Sequence, residues 1–260
     1  MKTTAVLQVR AGSTRLPGKA LRPLLGAPML ERELERVRRA RRIDSLAVAT
    51  STLPDDDPIA ALCGRLGVRC HRGSLHDVLD RVYAAVVHDA PSHVARLTGD
   101  CPLADPDLID GIVDFCAAGG YDYASNTLEP TYPDGLDVEV MRIEALADAW
   151  REARLPSERE HVTPFLYKHP ERFRLGSFRA AQDLSTLRWT VDEPEDFELV
   201  ERIYRELYPG NAAFSTADIL RLLDANPGLK TANTRHRRNE GYRKSVAGDA
   251  SGSPLPGGRR

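Results

Sequence analysis

Apolar residues recur along this chain with two periods, one suited to strands and one to helices. TTAVLQV at 3–9 is β-branched and apolar enough for a buried strand. MLERELERVRRA then places Leu30, Leu34 and Val37 on one helical face, with Pro28 near its start. SLAVATS predicts a second strand, DPIAALCGRLG a second helix, and VRC a short third strand closed by His71, Arg72 and Gly73. Residues 76–88 predict an amphipathic helix burying Val78, Leu79, Val82, Tyr83 and Val86, with Asp77 four positions before Arg81. HVARL at 93–97 predicts a strand ending at Thr98, Gly99 and Asp100, followed by a helix from about Asp105 to Ala118. Such alternation favours a largely parallel sheet with helices on both faces, an α/β fold.

The second half is less regular. YDYASN predicts a strand running into a polar loop, and DGLDVEVM a strand with one polar face. The stretch 142–168 is helical with a break near Pro156, 173–178 and 187–191 read as strands, and 195–207 as a helix burying Phe197, Val200, Ile203, Tyr204 and Leu207. A last helix spans about 215–225, with Ser215 as N-cap and Asp218 as its capping-box partner. From Gly228 the sequence turns polar and basic and ends GDASGSPLPGGRR, too poor in apolar residues to repay ordering. The expected organisation is one domain over 1–227, with an insertion or lid region at about 120–170 built onto the same sheet. A flexible tail is expected over 228–260.

Composition narrows the function classes. The 260 residues are 42% hydrophobic and 28% charged with a formal net charge of -2, so nothing global attracts nucleic acid or an anionic membrane. No apolar run reaches the roughly 18 residues of a bilayer span and no signal-peptide core opens the chain, which makes a cytoplasmic protein the expectation. Cys63, Cys70, Cys101 and Cys116 are too few and scattered for a disulfide scaffold or a zinc knuckle, and read as small hydrophobes or incidental thiols.

Chemistry concentrates after the strands. In LQVRAGSTRLPGKAL, Gly12 and Gly18 permit close backbone approach, Ser13 and Thr14 add hydroxyls, and Arg10, Arg15 and Lys19 bring three cations within ten residues. This suits a polyphosphate gripped by amides and guanidinium forks. It is neither the GxxxxGK[ST] phosphate loop nor GxGxxG, and it also reads as a basic, solvent-facing turn. Asp100, within Thr98-Gly99-Asp100-Cys101-Pro102, is placed either to hold Mg²⁺ against phosphate oxygens or to cap a turn. Asp192 in RWTVDEPEDF is either its metal-binding partner or the N-cap of the helix begun at Pro194. Asp134, Asp137 and Glu139 form an acidic patch that suits a polyhydroxylated or cationic ligand or a solvated strand face. Arg159, Glu160 and His161 in SEREHVTPF read as contacts to an acidic substrate group or as surface charges. No serine, cysteine or lysine stands beside a base as a covalent nucleophile, so direct in-line attack is the simpler mechanism.

Six blocks in order, QVRAGSTRLPGKAL, GSLHDVLDRVYAA, RLTGDCPLADPDLID, TYPDGLDVEVM, EREHVTPFLY and LRWTVDEPEDFELV, resemble the cytidylyltransferase family of the spore coat polysaccharide biosynthesis SpsF type. That family is more distantly related to acylneuraminate and deoxyoctulosonate cytidylyltransferases. The resemblance runs from Thr4 to about Leu207, and it departs from the usual pattern at Val9 and Phe165. It implies a Rossmann-like nucleotidyltransferase fold with a mixed, mainly parallel sheet. Arg10, Gly12, Ser13, Arg15 and Lys19 would hold CTP phosphates, and Arg72, Gly73, Ser74, Asp77 and Arg81 would lie near the nucleoside, with Thr98 beside the nucleotide. Asp100 and Asp192 would bind Mg²⁺, while Asn126, Asp134, Asp137, Glu139, Arg159, Glu160 and His161 would line the acceptor side. The implied reaction transfers CMP from CTP to a sugar acid or related surface-glycan precursor and releases pyrophosphate. A phosphorylated sugar or phosphonate acceptor, another nucleotide, or nucleotide binding without catalysis are the alternatives. The resemblance implies a nucleotide and a small-molecule, sugar-type acceptor as partners; relatives of this kind often form homodimers, and the net charge speaks for no nucleic-acid partner.

Overall fold

In the computed structural model of the chain, the described residues are 1–13, 15–231, 233, 238 and 240–249. Thr14 and residues 250–260 lie outside them. The first strand, β1 (Thr3–Gln8), is followed by a small hairpin of β2 (Pro23–Leu24) and β3 (Ala27–Pro28) and by α1 (Met29–Val37). Next come β4 (Ser45–Ser51), α2 (Asp57–Arg65), β5 (Arg69–Gly73), α3 (Val78–Val86), β6 (His93–Thr98) and α4 (Pro106–Gly119). The remainder is β7 (Tyr123–Ser125), β8 (Glu139–Arg142), α5 (Ile143–Glu152), α6 (Pro156–His161), α7 (Pro164–Tyr167), β9 (Leu175–Ser177), α8 (Pro194–Leu207), α9 (Thr216–Ala225), α10 (Pro227–Lys230) and α11 (Glu240–Asp249).

Seven strands form one sheet in the order β5-β4-β1-β6-β8-β7-β9. The β5, β4, β1 and β6 neighbours are parallel, β8 is antiparallel to both β6 and β7, and β9 is parallel to β7. The fold is therefore α/β with a mixed, mostly parallel sheet. Alternation along each strand serves two cores: Ala5, Leu7, Ala95 and Leu97 pack with α1, α2, α4 and α8, while Val6, Val94, Tyr123 and Met141 pack with α3, α5 and α7. With both faces covered, the free edge for ligands is the carboxyl end of the parallel strands. Gln8, Thr98 and the loops that follow them meet there, and Gly99 donates its N–H to the Gln8 carbonyl at 2.8 Å. A side chain at Gly99 would place its Cβ 2.6 Å from that of Val9, so the two strand exits approach this closely only with glycine.

Four expectations are corrected. β5 continues through His71, Arg72 and Gly73, because Thr50 and Ser51 of β4 pair with Arg72 and Gly73. Residues 134–138 are not strand: Gly135 has φ 104, which breaks the alternation, and pairing resumes at Glu139. Residues 187–191 are not strand either, apart from one bridge between Asp134 and Arg188. Their amides are divided between two loops, Trp189 and Thr190 donating to the Asp134 carbonyl and Val191 to that of Asp100. Asp77 does not pair with Arg81; it caps α3 by accepting from the Asp80 amide.

The stretch expected as a flexible tail from 228 contains α10 and α11 in its described part, and α11 packs on α6. Polar anchors hold it where apolar ones are scarce: Asp249 accepts from the Ser157 amide and hydroxyl, and Ser245 donates to Glu160. Among the described residues no helix is long and apolar enough to cross a membrane. All four cysteines are free, Cys63, Cys101 and Cys116 buried.

Candidate functional site

The loop after β1 is shaped by its own backbone and by Asp56. Ser13 and Gly18 both donate to the Ala11 carbonyl, and the Ala11 amide donates to Asp56 Oδ1 at 2.7 Å. Asp56 also accepts from the Ser51 amide at 2.9 Å, which fastens the loop to the end of β4. Its carboxyl is held below the usual range, because these hydrogen bonds outweigh the opposing effect of burial.

Lys19 is buried at the end of this loop, and three acceptors meet its ammonium: Asp192 Oδ1 at 2.8 Å, the Val191 carbonyl at 2.7 Å and Asp100 Oδ2 at 3.4 Å. Burial works against its charge, but Asp100 and Asp192 outweigh that and raise its pKa above the ordinary lysine value. All three of its N–H donors are thus used within the protein, so Lys19 pins the carboxylates rather than offering a free hand to a phosphate. Arg15 is exposed and pairs with Asp192 at 3.0 Å and Glu193 at 3.1 Å.

The two aspartates reach Lys19 from opposite parts of the chain. Asp100 follows β6, and its carboxylate partners are Lys19 and the Cys101 thiol rather than the amides of its own turn, which rules against a turn-cap role. Glu193 is the N-cap of α8, so Asp192 is free of that duty. Its amide donates to Asp196, and its carboxylate faces Lys19, Arg15 and Arg188. Those three cations overcome burial and hold the Asp192 carboxyl below its ordinary value.

Two adjoining cavities open at this point. The smaller, about 310 Å³, is lined by the loop residues Arg10, Gly12, Ser13, Arg15 and Lys19, with Arg81 from α3. Arg81 is buried, its Nε has no partner, and burial lowers its pKa to about 10. An under-bonded buried guanidinium in a cavity wall suits an anionic ligand. The larger cavity, about 490 Å³, is lined by Asp134, Asp137, Glu139 and Arg188 among others. Gln8, Arg15, Thr98, Asp100, His161 and Asp192 line both and mark the junction.

The floor of the larger chamber is a buried polar network. Arg96 of β6 pairs with Glu139 of β8 and donates to Gln8 Oε1 at 2.9 Å, while the Tyr123 and Thr163 hydroxyls each donate to Glu139 Oε1 at 2.5 Å. Arg188 spans Asp134 at 2.9 Å, Asp196 at 2.9 Å and Asp192 at 3.4 Å, and so couples the chamber wall to the carboxylate pair. Burial, opposed by Arg238, pushes the half-buried Asp137 carboxyl up to about 7. Its pKa in the fold therefore exceeds the unfolded value, and its contribution to stability is complete below about pH 4 and lost as pH rises through about 7. Asp137→Asn is accordingly expected to gain melting temperature relative to wild type between pH 5 and pH 8. Parallel melting curves over that interval would contradict the assignment.

Other expected site residues lie elsewhere. Asn126 is fully buried and clamps the loop by donating to the Leu136 carbonyl and accepting from the Val138 amide. Arg72 donates to the Ser51 and Leu53 carbonyls and pairs with Asp57; neither it nor Gly73 or Ser74 lines the two cavities. Gly73 instead makes room for Arg81, whose Cγ would lie 3.1 Å from a Cβ there. Arg159 binds Asp77 at 2.6 Å and the Trp150 carbonyl, beside a third, shallow depression. Glu160 and His161 do reach the smaller cavity.

Sequence reasoning passed over Arg96, Arg188, Asp196 and Glu33. Arg96 and Arg188 had a signal, since each is a charge inside an otherwise apolar run, HVARL and LRWTV. Glu33 sits on the apolar face of α1 beside Leu30, Leu34 and Val37 and is completely buried, with neither carboxyl oxygen hydrogen-bonded to a side chain. Burial, then the charge of Asp100, pushes its pKa well above the ordinary value.

Known proteins resemble this chain over most of its length. Residues 4–216 match the family model described as cytidylyltransferase. An uncharacterised protein of Methanocaldococcus jannaschii is 35% identical over 94% of this chain and 99% of its own. The spore coat polysaccharide biosynthesis protein SpsF of Bacillus subtilis is 34% identical over 87% of this chain and 95% of its own. A solved cytidylyltransferase from Leptospira borgpetersenii superposes with a TM-score of 0.84 at 31% identity, covering 88% of this chain and 97% of that one.

Proposed function

Since this chain belongs to the cytidylyltransferase family, we propose that it transfers CMP from CTP to a sugar acid or related surface-glycan precursor and releases pyrophosphate. The observation that carries the reading is the convergence of Asp100 and Asp192 on one positive centre, Lys19 Nζ, where the basic glycine loop meets the larger chamber.

The smaller cavity takes the nucleotide. Arg10, Arg15 and Arg81, with the backbone at Gly12 and the Ser13 hydroxyl, meet the triphosphate. The α-phosphorus then lies near the junction residues, and an acceptor oxygen approaches from the chamber bounded by Asp134, Asp137 and Glu139. A bond forms between that oxygen and the α-phosphorus while the bond to the β-phosphate oxygen breaks, with pyrophosphate leaving toward the glycine loop. Alignment of the two reactants and fixed positive charge supply the rate.

Mg²⁺ fits the donor set. Both aspartates are hard oxygen ligands already aimed at one cation, and two carboxylates completed by phosphate oxygens and water are the usual protein share of a Mg²⁺ site. No group of three or more His, Cys, Asp or Glu able to hold a metal occurs among the described residues, so such a site depends on the nucleotide for the rest of its shell. Bound there, the ion would offset charge growing on the transferring phosphoryl group. Lys19 fixes the spacing of the carboxylates, and Arg188 holds Asp192 in place.

Mass spectrometry of reactions containing the protein, CTP, Mg²⁺ and a panel of sugar acids, phosphosugars and phosphonates tests the reading. A CMP conjugate of a sugar acid is expected. A conjugate formed only with a phosphosugar, or only from UTP or ATP, would replace it.

A further inference from the structure

The larger chamber borrows one wall from outside the family-matched residues. That match ends at 216, yet Tyr242 of α11 lines the chamber. The stretch touches the chamber on two sides. On one, the Tyr242 ring packs edge-on against His161 with centroids 5.1 Å apart, and Ser245 Oγ lies 2.9 Å from His161 Nε2. On the other, Arg238 bonds Asp137 and the Tyr132 carbonyl and comes within 3.6 Å of Asp134. The anchors of α11 on α6, Asp249 to Ser157 and Ser245 to Glu160, both follow Tyr242 along the same helix.

We propose that α11 is the acceptor-selecting wall of this enzyme and that Tyr242 is a specificity-determining residue for a polyhydroxylated ring; this rests on the cytidylyltransferase reading. The chemistry of the chamber is complementary to such a ring. Asp134, Asp137 and Glu139 are acceptors for hydroxyl donors, and the lining is otherwise mostly charged or polar. Tyr242, with Tyr167 and Leu128, supplies the apolar surface that the C–H face of a sugar ring packs on. Among the described residues none of α11 lines the smaller cavity, so nucleotide binding and acceptor binding separate along the chain. Catalytic groups come from the family-matched region, and the surface that distinguishes acceptors comes partly from beyond it.

The test uses the full-length protein with CTP, Mg²⁺ and a mixed probe panel of 3-deoxy-manno-octulosonate, N-acetylneuraminate, glucosamine 6-phosphate and 2-aminoethylphosphonate. Tyr242→Ala is expected to raise KM for the acceptor used by the wild type about tenfold, with KM for CTP within about twofold, and to change the ranking of the panel. Tyr242→Phe, which keeps the ring, should restore most of the acceptor KM. Hydrogen exchange on the unaltered protein gives an independent readout: amides of 240–249 should slow on addition of acceptor in the presence of CTP, and not with CTP alone. Unchanged acceptor KM and ranking in Tyr242→Ala, or equal rises in both KM values, would overturn the inference while leaving the transferase reading intact. Absence of both CTP binding and any CMP conjugate in the wild type would overturn the reading, and this inference with it.

Discussion

Lys19→Met is expected to lower kcat/KM for CMP transfer by about a thousandfold and to destabilise the fold by about 2–3 kcal/mol. The side chain is 10% exposed and its ammonium is the shared partner of Asp100, Asp192 and the Val191 carbonyl. Methionine fills a similar volume but leaves two carboxylates facing each other without the charge between them. The loss of stability should be smaller than for a fully enclosed pair, because the Asp100 and Asp192 side chains are 29% and 21% exposed and retain some solvation. The fold loss is read from urea unfolding and the rate loss from steady-state pyrophosphate release. Retention of near-normal turnover would show that convergence on Lys19 is structural only.

Asp100→Asn separates stability from chemistry more cleanly. The substitution preserves shape, and among the described residues the carboxylate it replaces meets Lys19 at 3.4 Å and the Cys101 thiol and no backbone amide. The expected result is a melting temperature close to wild type with turnover down by about a thousandfold, from loss of charge where the phosphoryl group reacts. CTP should still bind through Arg10, Arg15 and Arg81, so calorimetry should report nucleotide affinity reduced far less than kcat. Full turnover in this variant would remove Asp100 from the chemistry.

The ladder of βα units was readable from the sequence because each apolar strand of the first hundred residues ends at a turn residue and gives way to a helical period. Both aspartates and the basic loop were likewise legible, since charge directly after a buried strand is unusual. The second half resisted for two physical reasons. Residues 134–138 and 187–191 have strand-like alternation, but Gly135 adopts a left-handed conformation and the amides of 189–191 bond separate loops, which no local pattern reveals. A Cβ at Gly135 would run into the backbone of Trp189 and Thr190, so the two segments meet only at a glycine. The Arg96–Glu139 floor joins antiparallel β6 and β8 across 43 positions, and such pairing is set by sheet order rather than by spacing. In the described part of the stretch from 228 the anchors are polar: Ser245, Asp249 and Arg238 bind groups far away in the sequence, and few apolar residues announce them.

The residues placed by resemblance near the nucleoside divide between the cavity wall and its surroundings. Arg72, Ser74 and Asp77 brace the surrounding structure, while Val78 and Arg81 of the same stretch line the smaller cavity. Arg159 similarly serves the Asp77 cap and the α5 end, while its neighbours Glu160 and His161 face inward.

The most direct test of the central claim, that the Lys19–Asp100–Asp192 cluster serves attack on the α-phosphorus of CTP, is the stoichiometry of phosphate products during turnover. The account predicts one pyrophosphate for each CMP–acceptor conjugate formed by the wild type. Orthophosphate with CDP, or a product carrying more than the CMP group, would place the attack on a different phosphorus and contradict it.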